Sequence, residues 1–419
     1  MSGMKNILRA LRHRNYRLFF AGQGVSLVGT WMQRVAVSWL VYRLSHSVML
    51  LGIVGFAGQL PTFLLAPLAG AIADRSNRYR FIIVLQALEM VQAFVLAFLV
   101  LTGAIQVWHI IALSIFLGVV SSFEIPMRQS FIIDMLEDRG DLGNAIALNS
   151  SLVNGARLLG PTVAGVLIAA AGEGMCFLVN GISYMAVLAA LLAMRIKKKE
   201  RKGKAPKNVL QSVREGFSYA FGFPPIKAVL LLLAVVNLVG MPFRMLLPVF
   251  AARILHGGAN TLGFLTGATG AGALAGAVYL ASRKSVIGLG RIIVVSSCIF
   301  GASLMLFALS ENVWVSLGLM AMTGFGMMVQ MAASNTVLQT IVEDDKRGRI
   351  MSFFTMSFMG MAPFGSLLAG SVANRIGAPD TVLIGGLCSI AAALLFAGRL
   401  PLIREQVRPL YESKGIIAK

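Results

Sequence analysis

Five charged residues interrupt otherwise apolar stretches of this chain: Arg34, Glu89, Glu124, Arg157 and Arg244. Placing an arginine or acid at the centre of hydrocarbon costs on the order of 2.5–3.5 kcal/mol, so five facing lipid would cost more than ~10 kcal/mol. They must face protein or a wet cavity, where such groups hold ligands or carry protons. Helical spacing groups them with other polar residues. Gln23, Ser26, Thr30, Gln33 and Arg34 share one face; Ser150, Asn154 and Arg157 form a second stripe; Asn237 and Arg244, seven apart, form a third. Gln33, Arg34, Asn154, Arg157, Asn237 and Arg244 are the expected ligands of a small amphipathic or anionic compound, with Arg34 and Arg244 as cationic anchors. Either arginine could instead satisfy a buried carbonyl or a helix end.

A group that carries a proton must change charge. No histidine lies mid-span: His13, His46, His109 and His256 fall at ends or loops. The acids are the proton-coupling candidates. Glu89 shares a stripe with Gln86 and Gln92, and burial would raise its pKa toward the working range; it could equally be a buried hydrogen-bonding residue. Glu124 stands four before Arg128, an order that favours a local ion pair. One charge moved across 100 mV is worth about 2.3 kcal/mol, enough to drive useful transport.

The elements that must position these residues are membrane helices. The 419-residue chain is 57% hydrophobic, has a mean hydropathy of +0.79 and is only 13% charged, where a soluble protein carries about 25%. Apolar blocks lie near 16–43, 48–73, 80–102, 107–127, 145–171, 175–195, 226–252, 260–281, 290–309, 312–338, 349–373 and 380–399. Each is long enough to cross a core of about 30 Å, and a lipid-embedded backbone without alternating strands must be helical. The net charge of +20 follows topology and does not point to nucleic acid. It gathers in the N-terminal arm (Lys5, Arg9, Arg12, Arg14, Arg17), in a linker with Lys197, Lys198, Lys199 and Arg201, and in the tail with Arg404, Arg408 and Lys414. Alternate loops hold only Arg43, Arg253 and Arg375 as exceptions. The expected topology is twelve spans with both termini in the cytoplasm, and the basic sites could touch anionic lipid heads. The first apolar segment is too long for a cleaved signal peptide. Cys176, Cys298 and Cys388 lie within spans and read as small packers.

The chain repeats itself. Gly143, Gly155, Gly160, Gly165 and Gly172 match Gly348, Gly360, Gly365, Gly370 and Gly377, each pair offset by 205 residues. Arg34 and Arg244, Arg43 and Arg253, and His46 and His256 match at an offset of 210. The expected domains are a six-helix bundle over 1–195, a cytoplasmic linker over 196–225, and a second bundle with its tail over 226–419. Two like bundles can rock about a central site, opening it to one side at a time. A receptor or scaffold has no need of that duplication.

At the end of the second span stands G70AIADRSNRYR80. Asp74 is placed to face a helix N-terminus, and the following arginines could hold it or pair with acids of E137DRGD141, closing the cytoplasmic side in one state. This stretch resembles the loop signature of the major facilitator superfamily, with Asn77 where glycine is usual. R157LLGPTVAG165 is similar to the antiporter signature of its fifth span, with Gly160-Pro161 in place. G29TWMQRVAVSWLVYRLSHS47 and F123EIPMRQSFIIDML136 resemble the exporter branch that includes enterobactin and macrolide efflux proteins. The resemblance implies an all-α membrane protein of twelve transmembrane helices in two pseudo-symmetric six-helix bundles. It implies gating by Asp74, Arg75, Arg78 and Gly70 and an export-linked hinge at Gly160 and Pro161. The copy of the loop signature in the second half, G276AVYLASRKS285, has lost its acid.

Together these features imply proton-coupled efflux of a small amphipathic or anionic compound by a monomer in the plasma membrane. Substrate, protons and membrane lipids are the expected partners; enzyme activity, cofactor, metal and nucleic acid are not expected. An importer, a lysolipid flippase, or a non-transporting sensor docking a partner through Q211SVREGFSYAFGF223 remain alternatives. G270AGALAG276 imitates a dinucleotide loop but lies in an apolar span with no preceding strand, so it reads as helix packing. No ATP-binding G-x-x-x-x-G-K-[ST] occurs. The methionines of spans ten and eleven, Met320 to Met361, read as core packers or an adaptable apolar wall.

Overall fold

The computed structural model describes residues 8–75, 77–196, 218–283, 285–343 and 346–413, and among these it is helical with no strand. Twelve long helical segments follow in order. We number them α1 (Arg14–Ser45), α2 (Val48–Arg75), α3 (Arg78–Leu101), α4 (Val107–Phe131), α5 (Leu142–Ala171) and α6 (Glu173–Leu192). The second six are α7 (Pro224–Ile254), α8 (Ala259–Ala281), α9 (Leu289–Ala308), α10 (Val313–Ile341), α11 (Arg349–Ile376) and α12 (Ala378–Ser413). All but α1 are apolar enough to cross a membrane on composition and length alone. The 32-residue α1 is long enough, but its polar face from Gln23 to Arg34 lowers its hydropathy.

The chain divides into two compact units: residues 1–204 with 248–267, and residues 205–247 with 268–419. The end of α7 and the start of α8 thus cluster with the first unit. In the first unit α1 packs on α5 and α6, α3 on α4 and α6, and α2 on α4. In the second, α9 packs on α10 and α12, and α12 also on α7 and α11. Glycines set the closest approaches. A Cβ on Gly118 of α4 would strike the backbone of Gly58 of α2, and one on Gly272 of α8 would strike Ala321 of α10. Small residues allow such contact where helices lack a hydrophobic driving force between them.

The repeat is visible in the backbone. Among the described residues, His46 (φ 49°) and His256 (φ 48°) are the non-glycine residues with positive φ. Both follow the end of a first-of-six helix, 210 residues apart. Gly172 (φ 81°) and Gly377 (φ 95°) end α5 and α11 in the same way. Matching strained caps at matching positions require two copies of one template.

Candidate functional site

The structure brings Arg34 and Arg157 together on one aromatic ring. The Arg34 guanidinium carbon lies 4.7 Å, and that of Arg157 5.2 Å, from the centre of the Trp31 indole. Trp31 and Arg34 are one turn apart on α1, and Arg157 comes from α5. The two helices meet because residue 160 is glycine: a Cβ there would fall 2.5 Å from Trp31 Cβ and 2.8 Å from the Val28 carbonyl. Among the described residues neither arginine forms an ion pair with an acid, and Arg157 Nε is buried without a hydrogen-bond partner. Arg34 keeps an exposed surface. Each cation–π contact is worth about 0.5–2 kcal/mol, but two like charges on one indole repel. An anion beside them removes that repulsion and satisfies the open donors.

The remaining expected ligands are committed elsewhere. Gln33 donates to Gln92 Oε1 (2.8 Å) and accepts from Asn180 Nδ2 (2.8 Å), joining α1, α3 and α6 in a buried layer. Asn154 donates to the Ser150 carbonyl of its own helix (2.9 Å). Asn237 is buried and donates to the Leu233 carbonyl (2.8 Å), at the start of a wide π-helical turn over Val236–Gly240. Arg244 is half-buried, with Nη2 3.1 Å from Met327 Sδ.

The two acids differ in their company. Glu124 accepts from Arg128 Nε at 2.7 Å and from Gln86 Nε2 at 3.3 Å. Glu89, equally buried at 6% exposure, accepts from the Ser121 hydroxyl at 3.5 Å and has the Tyr184 hydroxyl against it.

At the start of α3, Arg78 donates from Nη1 to the Ser130 carbonyl (2.9 Å) and lies 3.7 Å from Asp134. That acid stands just after the end of α4. Two acids of E137DRGD141 are taken by the N-terminal arm. Asp141 pairs with Arg9, with Arg12 (2.8 Å) and with His13 Nε2 (2.9 Å), and Arg12 also reaches Asp138 (3.3 Å). His13 Nδ1 accepts from the Glu137 amide (3.3 Å), which leaves Nε2 as the donor to Asp141. Burial, the largest influence on Asp141, opposes ionisation. The His13 hydrogen bond and the charges of Arg12 and Arg9 outweigh it and hold the carboxyl below the ordinary aspartate value. Gly70, Asp74 and Arg75 fall in α2, and their side chains lie outside the described residues, as does 211–217 of the linker.

Pro161 and Gly165 of α5 face the start of α8. A Cβ on Gly263 would lie 2.6 Å from the Pro161 carbonyl and 2.7 Å from Gly165 Cα, and one on Gly267 would strike Thr162 Oγ1. Pro161 thus sits in a helix–helix seam whose other side, Ala259 to Gly267, was not singled out in the sequence. Trp31 was also missed, although a tryptophan one turn before an intramembrane arginine was a legible signal.

A repeated helical template, intramembrane guanidinia and close-packed glycine seams define a membrane transporter of the major facilitator fold, not an enzyme. The chain belongs to the transmembrane secretion effector family of that superfamily, whose model matches residues 6–414. It is 26% identical to the staphyloferrin A transporter of Staphylococcus aureus over 381 residues, covering 91% of this chain and 95% of the relative. It is 23% identical to macrolide efflux protein A of Streptococcus pyogenes over 410 residues, covering 94% and 98%. It is 25% identical to the multidrug efflux pump Tap of Mycolicibacterium fortuitum over 400 residues, covering 92% and 93%. Among solved structures, a bacterial homologue of the human lysosomal transporter Spinster, inward-facing and unoccupied, superposes with a TM-score of 0.70 at 14% identity. That match covers 92% of this chain and 96% of the other. The nucleoside transporter NupG gives 0.73 at 12% identity, covering 92% and 99%. These two likenesses concern the fold.

Proposed function

We propose that this chain is a monomeric secondary exporter of the plasma membrane. It carries a small amphipathic or anionic compound outward by alternating access, coupled to proton influx, with both termini in the cytoplasm. The observation that carries the reading is the pair of guanidinia, Arg34 and Arg157, sharing Trp31 without an acid partner. By their names the relatives act on staphyloferrin A, macrolides and multiple drugs, and the two named for efflux support the outward direction. Asp74 and Arg75, with Gly70 and Arg78, form the inner latch in this reading, and Gly160 and Pro161 the hinge. The two expected bundles, 1–195 and 226–419, are the bodies that rock.

Everted membrane vesicles test it, with fluorescein as a planar anionic probe. Energised vesicles holding the wild-type chain are expected to accumulate the dye. Arg34→Gln removes a charged hydrogen bond worth about 1.5–3 kcal/mol, so accumulation should fall about ten- to a hundredfold. Uptake only in right-side-out vesicles would make the chain an importer. No movement in either orientation, for fluorescein or a labelled macrolide, would favour a sensor.

A further inference from the structure

Inside the first unit, α3 packs against α4 and α6, and α6 also against α1. The charged and titratable groups around Glu89 from these helices are Glu124 and Arg128 of α4, Tyr184 of α6 and Arg34 of α1. Two carboxylates thus stand among two guanidinia. Arg128 is bound to Glu124 at 2.7 Å. Arg34 is turned onto Trp31 and forms no ion pair among the described residues. Glu89 is left with neutral hydroxyl partners, Ser121 and Tyr184, inside the bundle. A buried carboxylate without a cation in contact is costly to ionise, and accepting a proton removes the cost.

The hydroxyl beside it leads outward. Tyr184 Oη lies 3.2 Å from Thr30 Oγ1. Thr30 is half-buried on the same α1 face as Arg34, which reaches the open surface. Tyr184 and Thr30, whose hydroxyl also donates to the Ser26 carbonyl (3.0 Å), thus place two exchangeable hydroxyls between the sealed carboxyl and the polar face of α1.

We propose that Glu89, not Glu124, binds the transported proton, and that Thr30 and Tyr184 pass it between the polar cavity and Glu89. The transfer balances along the chain. A hydronium gives a proton to Thr30 Oγ1, Thr30 gives its own to Tyr184 Oη, and Tyr184 gives its own to a Glu89 carboxylate oxygen. One O–H bond forms at Glu89, one is lost from the hydronium, and both hydroxyls end with the proton count they began with. Glu124 already has a cation in contact, Arg128, as its ion-pair partner. The assignment rests on the proton-coupled reading above, so its test separates the two.

Infrared difference spectroscopy on the purified full chain reads buried carboxyl protonation without any substrate. Raising the pH from about 5 to about 10 spans the range where a sealed carboxyl gives up its proton. The wild type should lose one protonated-carboxyl band over that range. Glu89→Gln should lack the band and Glu124→Gln should keep it. Tyr184→Phe should keep it but slow its appearance after a pH jump about tenfold, equal to about 1.4 kcal/mol of barrier. No band in the wild type, or a band that disappears in Glu124→Gln, overturns the assignment even if Glu89→Gln does not fold. An unchanged rate in Tyr184→Phe overturns the relay. Fluorescein transport driven by a pH gradient supplies the second arm. A wild type indifferent to the gradient would sink proton coupling and leave Glu89 as a proton site. A Glu89→Gln variant still driven by it would sink the Glu89 assignment alone.

Discussion

Asp141 is 1% exposed, yet it receives Arg9, Arg12 and His13 from the N-terminal arm. The arm is fixed further by Asn144 Oδ1, which accepts from the Ala10 amide (2.9 Å), and by Tyr16, which donates to the Ala145 carbonyl (2.7 Å). The arginines were legible as a basic cluster that predicts a cytoplasmic arm; their partner was not, because a positive-inside count carries no information on which acid a basic residue meets. The sign of the pH dependence follows from the lowered Asp141 value. Its stabilising effect is fully present above the unfolded aspartate pKa, about 3.9, and is lost as pH falls through the lower folded value. The arm should therefore stay docked at neutral and mildly acidic pH and detach only below about pH 4. Asp141→Asn should detach it at pH 7, raising amide exchange over residues 8–16. Exchange there that matches the wild type would show that the arm is held by its other contacts. Arg34 and Arg157 were legible as residues that must avoid lipid for a simpler reason: a charge in an apolar run has few places to go. That they meet on Trp31 depends on the phase between α1 and α5, which one sequence does not contain.

At the scale of elements, the π-helical turns were not legible, but two of the three described have a local cause. Val236–Gly240 and Met356–Gly360 are each followed within three residues by a proline, Pro242 and Pro363. Proline has no N–H to donate, and its ring crowds the carbonyl four residues back, Leu238 or Met359, which lies within each wide turn. Periodicity locates the span but averages over such a defect. The glycines of α5 were legible as a matched series, whereas the surface they meet was not. Gly165 has Gly263 Cα 3.0 Å and the Ala259 carbonyl 2.9 Å from where its Cβ would be. This seam must part for any state in which α8 moves off α5. Gly263→Val overfills it, at a cost of about 1–3 kcal/mol borne only by the closed seam. The equilibrium should move about 5- to 150-fold toward the parted state. The readout is the labelling rate of Thr162→Cys by a membrane-impermeant thiol reagent, expected to rise in the Gly263→Val background. A rate unchanged by the valine would mean that the seam does not govern opening.

For the whole molecule, the repeat was the most legible feature, and it runs further than the glycines and histidines first matched. Trp108 and Trp314 each stand second in their helix, α4 and α10, and are 60% and 81% exposed. The helices are capped by Gln106 and Asn312, again 206 residues apart. Gly118 and Gly324, which set the α2–α4 and α8–α10 contacts, share that offset. A tryptophan with its ring uncovered at a helix start suits the membrane–water interface, where its apolar body and N–H are both accommodated. The opposite ends of these helices lead toward basic segments, including Arg128 and Lys346 with Arg347. Lys and Arg are generally retained on the cytoplasmic side, so the proposed topology puts the tryptophan ends outside. A fluorescent protein joined after Lys419 should therefore mature in the cytoplasm, and alkaline phosphatase joined after Gly103, just before α4, should be active outside. Phosphatase activity at Lys419 together with silence at Gly103 would invert the molecule and the transport direction assigned to it. Opposite sides for the N-terminal arm and Lys419 would require an odd number of spans, which the paired caps of α1 with α7 and α5 with α11 do not allow.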